Sequence, residues 1–207
     1  MRRVECADAL TWLEGRRDVG AIVTSLPDAE EIGCSIAEWR EWFGRGVESV
    51  VRATSKRSPA IFYQTDRKSN GATVSKAALV FEASWRAGAR VLWHKIVLRR
   101  DVGKVDLHRP GFTHLIAVSA EGTSGTASPD VLLRGRMVYP NAMGVAVAAF
   151  AVKYAALTSR SVVDPFCGRG TVVAMADALG LDAVGVDIDP EQVEAARSLD
   201  LRGFADA

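Results

Sequence analysis

Apolar positions in this chain follow two rhythms that alternate along its length. Short runs rich in β-branched and aromatic residues predict strands: Gly20-Ala21-Ile22-Val23, Pro59 to Asp66, Arg90 to Leu98, Thr113 to Ser119, Ser161-Val162-Val163 and Ala183-Val184-Gly185-Val186. Between them, Trp39 to Ala53, Lys76 to Ala87 before Gly88, the stretch running to Leu157, and Val172 to Leu179 have helical spacing. Strands alternating with helices imply an α/β fold, doubly wound around a mostly parallel sheet. Residues 90–119 break the alternation. There two apolar strands follow one another across a loop containing Gly and Pro, which predicts an antiparallel pair. From Ala120 to Arg136, Gly, Ser and Thr displace the apolar pattern and predict a surface loop or linker.

Composition narrows the picture. A chain of 207 residues that is 48% hydrophobic can bury one substantial core, so residues 1–207 are expected to form a single domain. The three cysteines, Cys6, Cys34 and Cys167, have no paired spacing, which suits a reducing compartment and argues against a zinc cage, a disulfide framework or a metal-dependent mechanism. No long apolar run follows Met1-Arg2-Arg3, which argues against a secretory signal. The stretch Met143 to Leu157 contains Lys153 and is too short for a bilayer, so a cytoplasmic protein without a membrane partner is expected. The net charge of +1 announces no nucleic-acid field. Lys95, Arg99, Arg100, Lys104 and Arg109 nevertheless cluster at the antiparallel pair, with Lys56, Arg57, Arg67 and Lys68 around the preceding strand. These clusters suit phosphate contacts or an ordinary solvated face equally well.

The densest chemistry lies at Asp164-Pro165-Phe166-Cys167-Gly168-Arg169-Gly170-Thr171, where a short strand gives way to a helix through a turn with two glycines. The next strand ends at Asp187, roughly 20 residues further on, where a carboxylate at a strand's carboxyl end can accept hydrogen bonds from ribose hydroxyls. Together these predict a nucleoside site. The glycine spacing is not that of a dinucleotide fold, and no lysine precedes Thr171 as a phosphate-gripping loop requires. Cys167 reads as a small filler of the turn.

Asp-Pro-Phe-Cys-Gly-Arg-Gly-Thr resembles the S-adenosylmethionine turn of the amino-methyltransferases that modify nucleobases. Thr24-Ser25-Leu26-Pro27-Asp28 aligns with the same family's catalytic phrase Thr-Ser-Pro-Pro-Tyr, and it precedes the cofactor turn, as in the permuted, β-class arrangement. The resemblance implies a Rossmann-like methyltransferase sheet closed by the antiparallel hairpin, with a catalytic half over 1–119, a loop over 120–136 and a cofactor half over 137–207. It implies S-adenosylmethionine held by Asp164, Pro165, Phe166, Cys167, Gly168, Gly170 and Thr171. Asp187 matches the ribose acid, Ile188 the residue against adenine, Asp8 in Val4-Glu5-Cys6-Ala7-Asp8 the acidic turn at the adenine edge, and Asn141 and Met143 in Tyr139-Pro140-Asn141-Ala142-Met143 the family's other cofactor segment.

Methyl transfer to an exocyclic amine needs acceptors that hold its protons and turn the nitrogen toward the sulfonium methyl. The resemblance gives that role to Ser25 Oγ and the Leu26 carbonyl, with Pro27 and Asp28 completing the catalytic phrase. Asp28 departs from the family's aromatic residue. It places a carboxylate near the reacting centre, or caps the next helix with Glu31. Asp66, His94, Lys95, Arg99, Arg100 and Arg109 are the expected substrate contacts, although alternation along the strand sends His94 and Lys95 to opposite faces. Trp39, Trp42 and Phe43 read as core or helix-face residues. The family's DNA enzymes usually insert a recognition domain before Tyr139, and here only the loop stands there. The expectation is therefore a nucleobase amino-methyltransferase with RNA slightly preferred over DNA, working alone, as a homodimer or with a separate specificity subunit. A small-molecule methyltransferase and a catalytically silent RNA-binding or scaffold subunit are the alternatives.

Overall fold

The computed structural model describes residues 1–106, 110–125 and 127–204. In chain order the elements are β1 (Arg2–Cys6), α1 (Ala9–Leu13), β2 (Ala21–Thr24), α2 (Ala29–Ile32), α3 (Ile36–Ala53), β3 (Ala60–Gln64), β4 (Arg67–Ser69), β5 (Ala72–Val74), α4 (Lys76–Arg86), β6 (Arg90–Leu98), β7 (Phe112–Ser119), β8 (Val131–Leu133), α5 (Val145–Ala155), β9 (Ser161–Asp164), α6 (Thr171–Ala178), β10 (Asp182–Asp187) and α7 (Pro190–Ser198). Eight strands form one sheet in the order β1-β10-β9-β2-β3-β7-β6-β8. From β1 to β3 the pairs are parallel, and β7 runs antiparallel between β3 and β6. The mostly parallel sheet with its closing hairpin is therefore as expected.

Strand alternation supplies two apolar faces. Ile22 and Phe62 point to one side, where Trp39, Phe43 and Val47 of α3 and Val80 of α4 cover them. Val23 and Ile61 point to the other, against α5, α6 and α7. Trp39 and Phe43 are wholly buried, with ring centroids 5.0 Å apart. Helix α3 begins three residues before the expected Trp39 because Ser35 and Glu38 cap it reciprocally: Ser35 Oγ accepts from the Glu38 N–H at 3.3 Å, and the Glu38 carboxylate accepts from the Ser35 N–H at 3.0 Å.

Two parts of the chain depart from the periodicity reading. The stretch 120–136 is not all loop: Val131–Leu133 pairs in parallel with Ile96–Leu98 as the outermost strand. Between β3 and α4, β4 and β5 form a separate two-stranded ribbon, turned by Asn70 and Gly71 at φ 50° and 76°. Three-residue strands are too short to show an alternating pattern. Among the described residues no helix is long and apolar enough to cross a membrane.

Candidate active site

At the carboxyl end of β9 the chain turns into α6 through Gly168 and Gly170, both left-handed at φ 50° and 83°. Gly170 is needed for closeness as well as angle, since a Cβ there would lie 2.7 Å from the Ala196 Cβ of α7. Asp187, ending the adjacent β10, accepts the Gly168 N–H on Oδ2 at 2.8 Å and the Asp189 N–H on Oδ1 at 3.0 Å. Each oxygen keeps a further lone pair for a ligand. Ile188, next in the chain, is 69% exposed, an apolar side chain presented at the cavity wall.

Asp164 is buried at the end of β9, and burial pushes its carboxyl up to about 7. Hydrogen bonds from Thr24 Oγ1 at 2.7 Å and the Phe166 N–H at 3.2 Å pull the other way, while the Asp187 charge adds to the rise. The Thr24 bond stitches the strand leading to Ser25 onto the strand leading to the glycine turn. Burial likewise raises the Cys167 thiol well above its ordinary range, which suits a filler.

These strand ends open onto one cavity of about 890 Å³. Asp8, Ser25, Leu26, Pro27, Asn141, Met143, Asp164, Pro165, Phe166, Cys167, Gly168, Thr171, Asp187 and Ile188 line it, so the two phrases far apart in sequence share a wall. Gly170 supports the turn from behind rather than lining the cavity. Trp42, Tyr139 and Arg169 are among the lining residues that the sequence reading missed. Trp42, expected in the core or on a helix face, reaches the cavity edge-on to Phe166 with centroids 5.8 Å apart. Tyr139 accepts a hydrogen bond from Thr171 Oγ1 at 2.9 Å, and the Arg169 guanidinium lies 5.7 Å from its ring centre. The aromatic head of Tyr139-Pro140-Asn141 was the available signal for Tyr139.

Ser25 is exposed, Leu26 is buried, and the Pro27 carbonyl accepts the Trp39 indole N–H at 3.0 Å. Asp28 is placed differently from a residue at the reacting centre. It precedes α2, its N–H donates to Glu31 at 2.8 Å, and its carboxylate lies 2.7 Å from Nζ of the buried Lys76, away from the cavity lining. Asp66, beyond β3, accepts the Lys76 N–H at 2.8 Å and lies 3.2 Å from His114 Nε2, whose Nδ1 is 2.9 Å from His94 Nε2. Burial, then the neighbouring His114, pushes His94 below its ordinary value.

The remaining expected substrate contacts do not line the cavity either. His94 and Lys95 point to opposite faces, as alternation required: His94 lies against Phe81 of α4, Lys95 near Phe150 of α5. Lys95 is buried, with Nζ donating to the Ser128 and Pro129 carbonyls at 3.2 and 2.8 Å, so it fastens the loop before β8 instead of facing a substrate. Arg99 and Arg100 leave β6 at the same sheet edge as the cavity, and Arg100 lies 3.1 Å from Asp106. Arg109 lies outside the described residues.

Comparison with known proteins bears on this geometry directly. Residues 121–198 match the N6/N4 methyltransferase family model, described as DNA methylase. The matched segment spans 78 of the 207 residues and takes in the glycine turn and Asp187. Beyond the matched segment, solved structures carry the methyltransferase fold over the whole chain. The cytosine-N4-specific PvuII DNA methyltransferase superposes with a TM-score of 0.78 at 15% identity, covering 99% of this chain and 90% of that one. A putative DNA modification methylase of Thermus thermophilus, solved with S-adenosyl-L-methionine, gives 0.71 at 17% identity over 100% and 94%. The M1.HpyAVI complex with its cofactor gives 0.66 at 14% identity over 95% and 98%. No sequence among curated proteins matches this chain.

Proposed function

We propose that this chain, read as one methyltransferase domain over 1–207, methylates the exocyclic amine of a base in DNA. The observation that carries the reading is the cavity shared by Ser25 and Leu26 at the end of β2 with the glycine turn and Asp187. The residues fit the cofactor: Ile188 offers an apolar surface for adenine, Asp187 has acceptor capacity left for ribose, and the Asp164 carboxyl faces a ligand that is cationic. When bound, S-adenosylmethionine supplies an electrophilic methyl on a positively charged sulfur. Ser25 Oγ and the Leu26 carbonyl accept the amine's N–H groups, draw its lone pair out of conjugation and aim it across the cavity. Trp39, by taking the Pro27 carbonyl, holds the turn that presents both acceptors.

DNA as the substrate is supported by the family description and by neighbours that are DNA enzymes. Arg99 and Arg100, at the same sheet edge, suit phosphates flanking the base. The lean toward RNA drew on the missing inserted domain alone and is not carried further. Labelled methyl transfer to duplex DNA, structured RNA and a small-molecule extract, followed by nucleoside digestion, tests the reading. Label should appear in an N-methylated base of DNA, and Ser25→Ala should slow it about 10-fold or more through the lost hydrogen bond. Label confined to RNA or to the extract overturns the DNA assignment, and label in none of them favours a silent subunit.

A further inference from the structure

Lys76, the first residue of α4, is only 3% exposed. An ammonium sealed from water needs a partner, and Asp28 Oδ1 lies 2.7 Å from Nζ. The Trp39 and Phe43 rings stand 5.6 and 6.0 Å from the same nitrogen. The main-chain N–H of Lys76 donates to Asp66 Oδ1 at 2.8 Å, and the other Asp66 oxygen lies 3.2 Å from His114 Nε2. One residue thereby ties the chain leaving β2 to the chain leaving β3, its neighbour in the sheet. A second ion pair, Arg67 of β4 with Glu30 of α2, flanks it.

Ser25, the exposed acceptor of the proposed reaction, stands between strand β2 on one side and Asp28 on the other. The strand fixes its N-terminal side, and beyond it the Trp39 indole holds the Pro27 carbonyl. We propose that Lys76 is a positioning residue for methyl transfer: it anchors Asp28 and so holds the Ser25-Leu26-Pro27 turn at the distance from the cofactor turn that the reaction needs. The role rests on the methyl-transfer reading above. In this chain an ion pair between a buried ammonium and a half-exposed carboxylate occupies the position where the family phrase has an aromatic ring, which makes Asp28 an anchor for the turn instead of a base at the amine.

The test uses full-length Lys76→Met, Lys76→Arg, Asp28→Asn and the double variant Asp28→Asn/Lys76→Met. Three quantities are measured: backbone deuterium exchange across 24–32, cofactor affinity by calorimetry, and single-turnover methyl transfer to DNA. Lys76→Met should speed exchange across 24–32 by about 10-fold while β9 and β10 keep their protection. Its single-turnover rate should fall about 100-fold with cofactor affinity unchanged, the effect of a reacting group displaced by about 1 Å. Lys76→Arg, which keeps the charge, should recover most of the rate. The double variant should lose no more than Lys76→Met, since both changes cut one link.

Unchanged exchange in Lys76→Met overturns the proposal whether or not the wild-type chain methylates DNA. Failure of the methyl-transfer reading shows differently, as no transfer by wild type while exchange still responds to Lys76→Met. Losses that multiply in the double variant also overturn the proposal, because Asp28 would then act independently at the amine. Should Lys76→Met fail to fold, Lys76→Gln, which stays polar but removes the charge that holds Asp28, replaces it in every measurement.

Discussion

Asp164 is the residue at which, on the proposed function, protons and cofactor are expected to compete. Its carboxyl is raised to about 7, chiefly by burial, so near neutrality it is close to half protonated. A cationic ligand favours the carboxylate. Cofactor affinity is therefore expected to rise about 10-fold between pH 6 and 8, with a proton released on binding at the acid end. Calorimetry in buffers of different ionisation enthalpy measures both quantities, and Asp164→Asn should flatten the dependence. Affinity independent of pH in the wild type would remove Asp164 from contact with the cofactor's charge. Stability runs the opposite way. The folded carboxyl holds its proton more tightly than the unfolded one, whose value is 3.8, so the free protein gains from Asp164 at low pH and loses that gain as pH climbs to about 7. The unfolding midpoint of the cofactor-free protein, compared with that of Asp164→Asn, reads this sign.

At the scale of elements, the join between β9 and α6 is the least tolerant place. Gly170 combines a left-handed backbone with contact against Ala196, so Gly170→Ala has to strain its own φ and push α7 away. About 1–3 kcal/mol of destabilisation is expected by denaturant titration. Gly168→Ala strains its backbone too, but nothing lies within 4 Å of the added carbon, so it should cost less. The turn was legible in sequence because its chemistry is local: two glycines, a strand before, a helix after, an acid ending the next strand. Long elements were legible for the same reason, since α3, α4, α5 and α6 each show their apolar side over several turns. Helix α2, with four residues, and strands β4, β5 and β8, with three each, fall below the length at which a period can be seen. Even the early start of α3 was written in the chain, as Ser35 followed three residues later by Glu38. The links made by Lys76 and His114 were invisible for a different reason. Lys76 reads as one more polar residue at a helix start until the fold brings Asp28 and Asp66 against it, and His114 as one polar residue in an apolar strand.

Over the whole molecule, the sheet order separates β1 from β2 by β10 and β9, strands that come near the other end of the chain. Among the described residues the sheet partner of 2–6 is 183–187 alone, and residues 21–24 lie between 60–64 and 161–164. Such pairings close very long loops, which slows folding. In pulse-labelled refolding, protection of β1 should therefore appear together with protection of β9 and β10, and binding of cofactor no earlier. Protection of β1 well ahead of β10 would contradict this order. Synthesis imposes the same schedule on a nascent chain. While residues 161–187 are still unmade, the Ser25-Leu26-Pro27 turn has no glycine turn opposite it, and the first strand waits without its sheet partner. A chain released before that point has the Ser25 side of the cavity without the side built by the glycine turn and Asp187. Chain order thus leaves this cavity open on one side until β9 and β10 have joined the sheet, with their partner strands exposed in the meantime.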